Sequence, residues 1–245
     1  MSPSRNPLPA HPLLRDIRAI EFEQIQYNSE GDDYFEIVEG NIPILLSAPH
    51  GARHLRKGTW KGEDEYTAAL AIALGRLTGA FVIFVKHKTE EDPNWLPHTR
   101  YKDAIQQMVH ERGIGFLADI HGADSGRNYK VTVGIIEAED MERCSCPRYK
   151  PIIEDAFRSF QSPLFHLDAF TAASPETVTS FARHVCGIEA AQFEINAQYR
   201  IVERKPDSTR AGHGDKPHFR AEESDVLELV QCLKEMVFKI NKEMR

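Results

Sequence analysis

Cysteine is scarce in this chain of 245 residues: there are four, Cys144, Cys146, Cys186 and Cys232. Cys144-Ser145-Cys146 is too tight for the two-residue spacing of a zinc knuckle, and no second pair follows, which argues against a sulfur-built structural zinc site. Reduced thiols in a cytoplasmic protein are the economical reading. No apolar stretch approaches the length of a membrane span. The polar, proline-bearing N-terminus has no hydrophobic signal-peptide core, and residues 1–18 read as a loosely ordered arm. Positive charge is not in excess either. A net charge of −7 without a basic stripe sets nucleic acid aside as a partner. No linker, internal repeat or low-complexity tract divides the sequence, so a single domain over 1–245 is expected. With 41% apolar and 27% charged residues the chain has the material for a globular core.

What is present is an alternation of buried strands and amphipathic helices. The run Ile42-Pro43-Ile44-Leu45-Leu46-Ser47-Ala48-Pro49-His50-Gly51 opens as a strand buried on both faces. Pro49 cannot donate to a ladder, so the strand ends there and leaves His50 at its carboxyl end. Open α/β sheets bind their ligands at that edge. Ahead of this strand, residues 19–39 alternate loosely around a polar break and suggest a small hairpin. A basic, irregular loop at 53–61 follows it.

Gly62-Glu63-Asp64-Glu65 then opens a helix, with Tyr66, Leu70, Ala73, Leu74 and Leu77 on one face and Gly79 as its C-cap. Three acids in the first turn suit the positive end of the helix dipole. Residues 80–85 are the next strand. A loop at 90–97, a helix over 101–111 and a third strand over 114–120 ending in His121-Gly122 come after it. A fourth strand is expected at 130–136, a helix at 151–160 and a short strand or loop at 163–169. Ser174-Pro175-Glu176 starts another helix, with Val178, Phe181, Ala182 and Val185 buried. A fifth strand, 190–195, carries Glu194 and Asn196 at its end. The stretch 200–221 is long, charged and rich in Gly and Pro, as a functional flap would be. A final helix follows Ser224. The pattern predicts an α/β fold of three layers, a mainly parallel or mixed sheet flanked by helices.

Three strands thus end in polar residues that can bind a ligand, His50, His121 and Glu194, with Glu63 and Asp64 close behind the first. Two histidines and a carboxylate form a three-ligand zinc set with a position open for water. A further carboxylate, free of metal, is needed as general base. Asp119 and Glu194 inside apolar strands are costly unless they have partners. His54, His87, His98, His110, His166, His184, His213 and His218 lack the strand-end context and read as surface or loop residues.

The ordered motifs Ser47-Ala48-Pro49-His50-Gly51-Ala52-Arg53, Glu63-Asp64-Glu65-Tyr66, Asp92-Pro93-Asn94, Tyr101-Lys102, Asp119-Ile120-His121-Gly122 and Phe193-Glu194-Ile195-Asn196 resemble the N-formylglutamate amidohydrolase family. Its fold is similar to that of zinc carboxypeptidases and aspartoacylase. The resemblance spans residues 42–199. It implies a metal-dependent hydrolase acting on the amide bond of a small N-acylated amino acid. It also implies His50 and His121 as ligands of Zn2+ or another divalent transition metal. The third ligand comes from the acidic pair, Glu63 favoured over Asp64, and the general base is Glu194.

Asp119, two residues before His121 and on the same side of the strand, is a candidate partner for a ligand imidazole. Arg53, Arg127 and Arg200 are candidates to stabilise the oxyanion or grip a substrate carboxylate, with Asn196 beside them at the substrate. Two departures from the family bear on substrate: Thr67 stands where some members have an acid, and the segment Ala52-Arg53-His54-Leu55-Arg56 is unusually basic. Two other readings share these residues. One is a zinc peptidase or peptidoglycan-type amidase with the 200–221 stretch lining its groove. The other is a non-catalytic protein that holds an anion on its basic loop.

Overall fold

The computed structural model describes residues 8–137, 142–158, 165–167, 171–209 and 220–245. Among these the elements run α1 (Pro12–Gln24), β1 (Phe35–Val38), β2 (Ile42–Ala48), β3 (His54–Arg56), β4 (Thr59–Lys61), α2 (Thr67–Thr78), β5 (Ala80–Val85) and α3 (Arg100–Arg112). They continue with β6 (Phe116–Ala123), β7 (Val131–Gly134), α4 (Lys150–Ala156), β8 (Phe165–Leu167), α5 (Val178–His184), β9 (Glu189–Asn196) and α6 (Glu223–Met244). Seven strands form one mixed sheet in the order β1-β5-β2-β6-β9-β7-β8. Its centre, β5 to β9, is parallel, while β1 and β7 run antiparallel to their inner neighbours.

Alternation along the central strands explains the layering. Ile44, Leu46, Val82 and Phe84 face the helices α1, α2, α4 and α6, whereas Leu45, Phe81, Ile83 and Val85 face α3 and α5. A strand apolar at every position therefore serves two cores at once, which is why β2 and β5 read as continuous hydrophobic runs. The expected three-layer α/β architecture is the one observed.

The departures are local. Residues 12–18 are not an arm but the start of α1, where Leu14, Ile17 and Ile20 are buried, Pro12 occupies the first turn and His11 caps it. The hairpin expected over 19–39 does not form, because its first half belongs to α1 and its second half, β1, pairs with β5. The basic loop at 53–61 is itself a hairpin, β3–β4, turned by Lys57 and Gly58 at φ +53° and +73°. Two successive left-handed residues match the twist of an antiparallel pair.

Glu63, Asp64 and Glu65 precede α2 rather than opening it, and Tyr66, at φ +67°, stands at its N-cap. Their acids therefore do not sit in the helix's first turn. Ser174-Pro175-Glu176 likewise stays outside α5, which is capped by Thr177 through a bond from the Ser180 N–H. Leu77 and Val185, expected on buried faces, are exposed. Residues 1–7 of the arm, 138–141, 159–160 of the helix expected at 151–160, most of the segment 163–169 and 210–219 of the 200–221 stretch lie outside the described residues. Among the described residues no disulfide forms. Among the described residues no helix is long and apolar enough to cross a membrane.

Candidate metal centre

The parallel strands deliver three side chains to one edge. His50 follows β2 by two residues, His121 lies in β6, and Glu194 in β9 is its registered neighbour. Residues two apart on a strand share a face, as do registered neighbours, so Asp119, His121, Gln192 and Glu194 line the same side. The glycine after each histidine lies against a close neighbour. A Cβ on Gly51 would lie 2.3 Å from the Val85 carbonyl oxygen, and one on Gly122 would lie 2.5 Å from the Arg200 guanidinium. Asp64 arrives on the turn before α2, its N–H donating to the His50 carbonyl oxygen at 2.8 Å.

The Nδ1 atoms of His50 and His121 are 3.1 Å apart, and Asp64 Oδ2 is 3.3 Å from the first and 3.6 Å from the second. All three residues are buried. On the far side of each ring Nε2 meets a carboxylate at 3.0 Å, Asp92 Oδ1 for His50 and Asp119 Oδ2 for His121. An ionised carboxylate only accepts, so each ring is assigned the tautomer with its proton on Nε2. Two nitrogen lone pairs and a carboxylate oxygen then point at one another.

Burial alone would lower both imidazole pKa values. Asp92 and Asp64 instead hold His50 above its ordinary value, and Asp119 and Asp64 hold His121 well above it. The cluster therefore favours positive charge, and its size suits a metal ion. The point equidistant from the three atoms is about 1.9 Å from each, close to the ~2.0–2.2 Å of zinc–nitrogen and zinc–oxygen bonds. His50, Asp64 and His121 are a group that could hold a divalent metal.

Behind these three atoms the quoted motifs converge. Asp119 Oδ1 accepts from Ser47 Oγ at 2.9 Å, and that hydroxyl lies 3.0 Å from the Tyr101 hydroxyl. Asp92 accepts from His50, from Arg56 Nε and from the Asn94 N–H. Asn94 Oδ1 accepts from the Val178 N–H at 2.7 Å, tying the loop after β5 to the start of α5. Lys102 Nζ strengthens the same tie by donating to the Leu96 and Glu176 carbonyl oxygens, both at 2.6 Å. Burial pushes that amine down to about 8.

A cavity of about 590 Å³ opens over the cluster, within the usual range for small-molecule sites. Glu194 lines it. Its Oε1 accepts from Gln192 Nε2 at 2.9 Å, and its Oε2 has no protein partner among the described residues. Burial raises the Glu194 carboxyl above its ordinary value and Asp64 adds to this, against the opposing effect of His121 and His50. Arg127 and Lys61 line the cavity too, and among the described residues neither is ion-paired to a carboxylate.

The other predicted residues are elsewhere. Glu63 does not join the cluster, since its carboxylate binds the Thr209 N–H and hydroxyl at 2.8 and 2.7 Å, so Asp64 is the member of the acidic pair that faces the histidines. Arg53 packs over Trp60 and donates to Asn28, outside the cavity lining. Arg200 is buried beneath Gly122 and donates to the Ala123 and Ile195 carbonyl oxygens. Asn196 donates to the Arg127 and Tyr129 carbonyl oxygens at 3.1 and 3.0 Å and so holds the loop that carries Arg127. None of the described residues 200–209 lines the cavity.

Three contributors were missed. His54, expected to be a surface or loop residue, is buried and stacked on His50 with ring centroids 4.0 Å apart. Arg56 and Asp92 complete that layer. The signal for Asp92 was its Asp-Pro-Asn turn, and for His54 and Arg56 the alternation of a short strand that read as irregular.

No family model matches the sequence, and no curated protein matches it. Solved structures do share its fold. The N-formylglutamate amidohydrolase of Ralstonia eutropha JMP134 superposes with a TM-score of 0.53 at 11% identity, over 85% of this chain and 97% of that one. A bacteriophage poly-gamma-glutamate hydrolase gives 0.52 at 17% identity, over 86% and 92%. A gene product of Agrobacterium tumefaciens gives 0.60 at 10% identity, over 87% and 96%. At these identities the likeness establishes the fold, which is the fold the sequence motifs led us to expect, and two of these neighbours are hydrolases by name.

Proposed function

We propose that this protein is a metal-dependent hydrolase that cleaves the amide bond of a small N-acyl amino acid. The observation that carries the reading is the convergence of His50 Nδ1, His121 Nδ1 and Asp64 Oδ2 within 3.6 Å of one another beneath a cavity lined by Glu194. His50, His121 and Asp64 would hold the ion, with Zn2+ matching the two-nitrogen, one-oxygen donor set and other divalent transition metals also acceptable to it. When bound, such a metal acidifies a ligated water and polarises the amide carbonyl.

The chain's own residues supply the rest. Glu194 takes a proton from the attacking water on Oε2 and returns it to the leaving amine nitrogen, a role suited to a carboxyl raised above its ordinary value. Asp92 and Asp119 keep the Nε2 protons in place, so both Nδ1 atoms stay available as ligands. Arg127 offers its guanidinium to the developing oxyanion or to a substrate carboxylate.

One observation favours a larger anionic substrate as a second reading. Lys57 and Lys61 are exposed on the β3–β4 hairpin, and among the described residues neither has an acidic partner; Lys61 reaches the cavity, and Trp95, against which Lys57 packs, lines it. A peptidase or amidase acting on an acidic polymer would use that rim.

The deciding experiment is an activity screen of zinc-reconstituted protein against N-formyl, N-acetyl and N-succinyl amino acids, short peptides and poly-γ-glutamate. Turnover of the small amides is expected, and Glu194→Gln should lower kcat about 10²- to 10⁴-fold while retaining metal. Survival of activity in that variant would move the base elsewhere. Purified protein that takes up less than a tenth of an equivalent of zinc would support a non-catalytic anion binder instead.

A further inference from the structure

Asp64 is one of four consecutive polar residues, and the other three all turn away from the cavity onto a single segment, 203–209. The Glu65 carboxylate accepts from Arg204 Nε at 3.1 Å and from Arg204 Nη2 at 2.9 Å, with both side chains about 1% exposed. The Tyr66 hydroxyl donates to the Glu203 carbonyl oxygen at 2.5 Å and accepts from the Glu203 N–H at 3.0 Å. The Glu63 carboxylate takes both the N–H and the hydroxyl of Thr209. The main chain of the turn is pinned as well. Asp64 N–H reaches the His50 carbonyl oxygen, Thr67 Oγ1 donates to the Asp64 carbonyl oxygen, and the Tyr66 N–H donates to the buried Glu21 carboxylate.

A buried ion pair contributes little net stability, because desolvating both charges offsets their attraction. Holding a tyrosine in the left-handed region is unfavourable as well. Two such features directly after one ligand are better explained by what they fix than by how much they stabilise. We propose that Glu63, Glu65 and Tyr66 are positioning residues that clamp the 203–209 segment, and that this clamp sets the place of the Asp64 carboxylate between the two imidazoles. It rests on the metal reading above. The 203–209 segment, which lines no part of the cavity, thereby controls metal affinity from behind the ligand.

The test measures zinc affinity of the full chain by competition with a chromophoric chelator, alongside the Tm of each metal-free variant. Glu65→Gln and Tyr66→Phe are expected to weaken zinc binding about 10- to 100-fold, the range for partners that orient a ligand. Thr209→Val, which removes a single hydroxyl donor, should weaken it about threefold. Ile240→Ala, a cavity in α6 far from the turn, serves as the control that lowers Tm with zinc affinity unchanged. Wild-type zinc affinity in Glu65→Gln and Tyr66→Phe would overturn the clamp. Should either fail to fold, unchanged zinc affinity in Thr209→Val does so. A wild-type chain that binds no zinc overturns the metal reading and this inference with it, whereas zinc bound without hydrolysis counts against the proposed reaction alone.

Discussion

Two groups of buried donors share the ring of His50, and they differ in what lies between their atoms. On the Nδ1 side, His50, His121 and Asp64 present two lone pairs and a carboxylate oxygen to a common centre. On the Nε2 side, His50, His54 and Asp92 satisfy the same count of histidines and acids and are packed as closely. There, however, the space is already filled by protons and by a cation of the protein itself. Asp92 accepts the His50 Nε2 proton on one oxygen and the Arg56 guanidinium on the other. Against its burial, His50, Arg56 and His54 hold the Asp92 carboxyl far below the ordinary carboxylate range. Residue type and proximity do not separate a metal site from a structural hydrogen-bond cluster. Neutralisation does, because an acid already matched by an internal arginine has no charge left to offer an ion.

The largest effect should come from breaking the open group. Asp64→Asn replaces the anionic member by a neutral amide of the same size, and zinc binding at micromolar concentration is expected to disappear, measured by elemental analysis after gel filtration. The wild type should hold one equivalent even in tenfold excess zinc; a second tight equivalent would mean that the Nε2 group is also open. Next in size are the carboxylates behind the two imidazoles. Asp92→Asn and Asp119→Asn each lose the charge that keeps a proton on Nε2, and each should weaken zinc about 10- to 100-fold. Asp92→Asn should be the more severe of the two, since it leaves the Arg56 guanidinium uncompensated beside the His50 ring, whereas position 119 is left beside the Ser47 hydroxyl, which can accept as well as donate. The reverse order would assign the stronger control to the carboxylate behind His121.

Much of this was legible in the chain. A buried parallel strand has a strong signature, so β2, β5, β6 and β9 and the residues at their ends, His50, His121 and Glu194, stand where the hydrophobic runs stop. The choice between Glu63 and Asp64 was not legible, because it depends on the direction of a turn whose residue 66 adopts a left-handed backbone that no tyrosine signals. Arg53, Arg127 and Arg200 looked equivalent as arginines in polar loops. Only tertiary packing distinguishes one stacked on Trp60, one lining the cavity and one buried under Gly122. Helix α1 was hidden by the prolines around it, although Leu14, Ile17 and Ile20 carry helical spacing once Pro12 is taken as a first-turn residue. The β3–β4 hairpin escaped because its turn is Lys57-Gly58 and not one of the asparagine–glycine or aspartate–glycine pairs that announce such turns.

The smallest effect separates contact from charge within the closed group. His54 touches His50 face to face at an interplanar angle of 11°. Burial and the neighbouring His50 push its pKa down to about 3, so it is neutral between pH 5 and 9. A neutral stacked ring supports its neighbour by shape, and phenylalanine reproduces that shape without a titrating group. His54→Phe should therefore keep zinc affinity within about threefold of wild type, the scale of a single weak hydrogen bond such as that from His54 to the Ala52 carbonyl oxygen. Its pH–activity profile should superpose on the wild-type curve between pH 5 and 9. His54→Ala, which removes the stacking surface, should cost more than His54→Phe in the same zinc assay. If instead the phenylalanine variant loses zinc as completely as Asp64→Asn, His54 is a ligand in its own right, and the line drawn between the two groups at the His50 ring is in the wrong place.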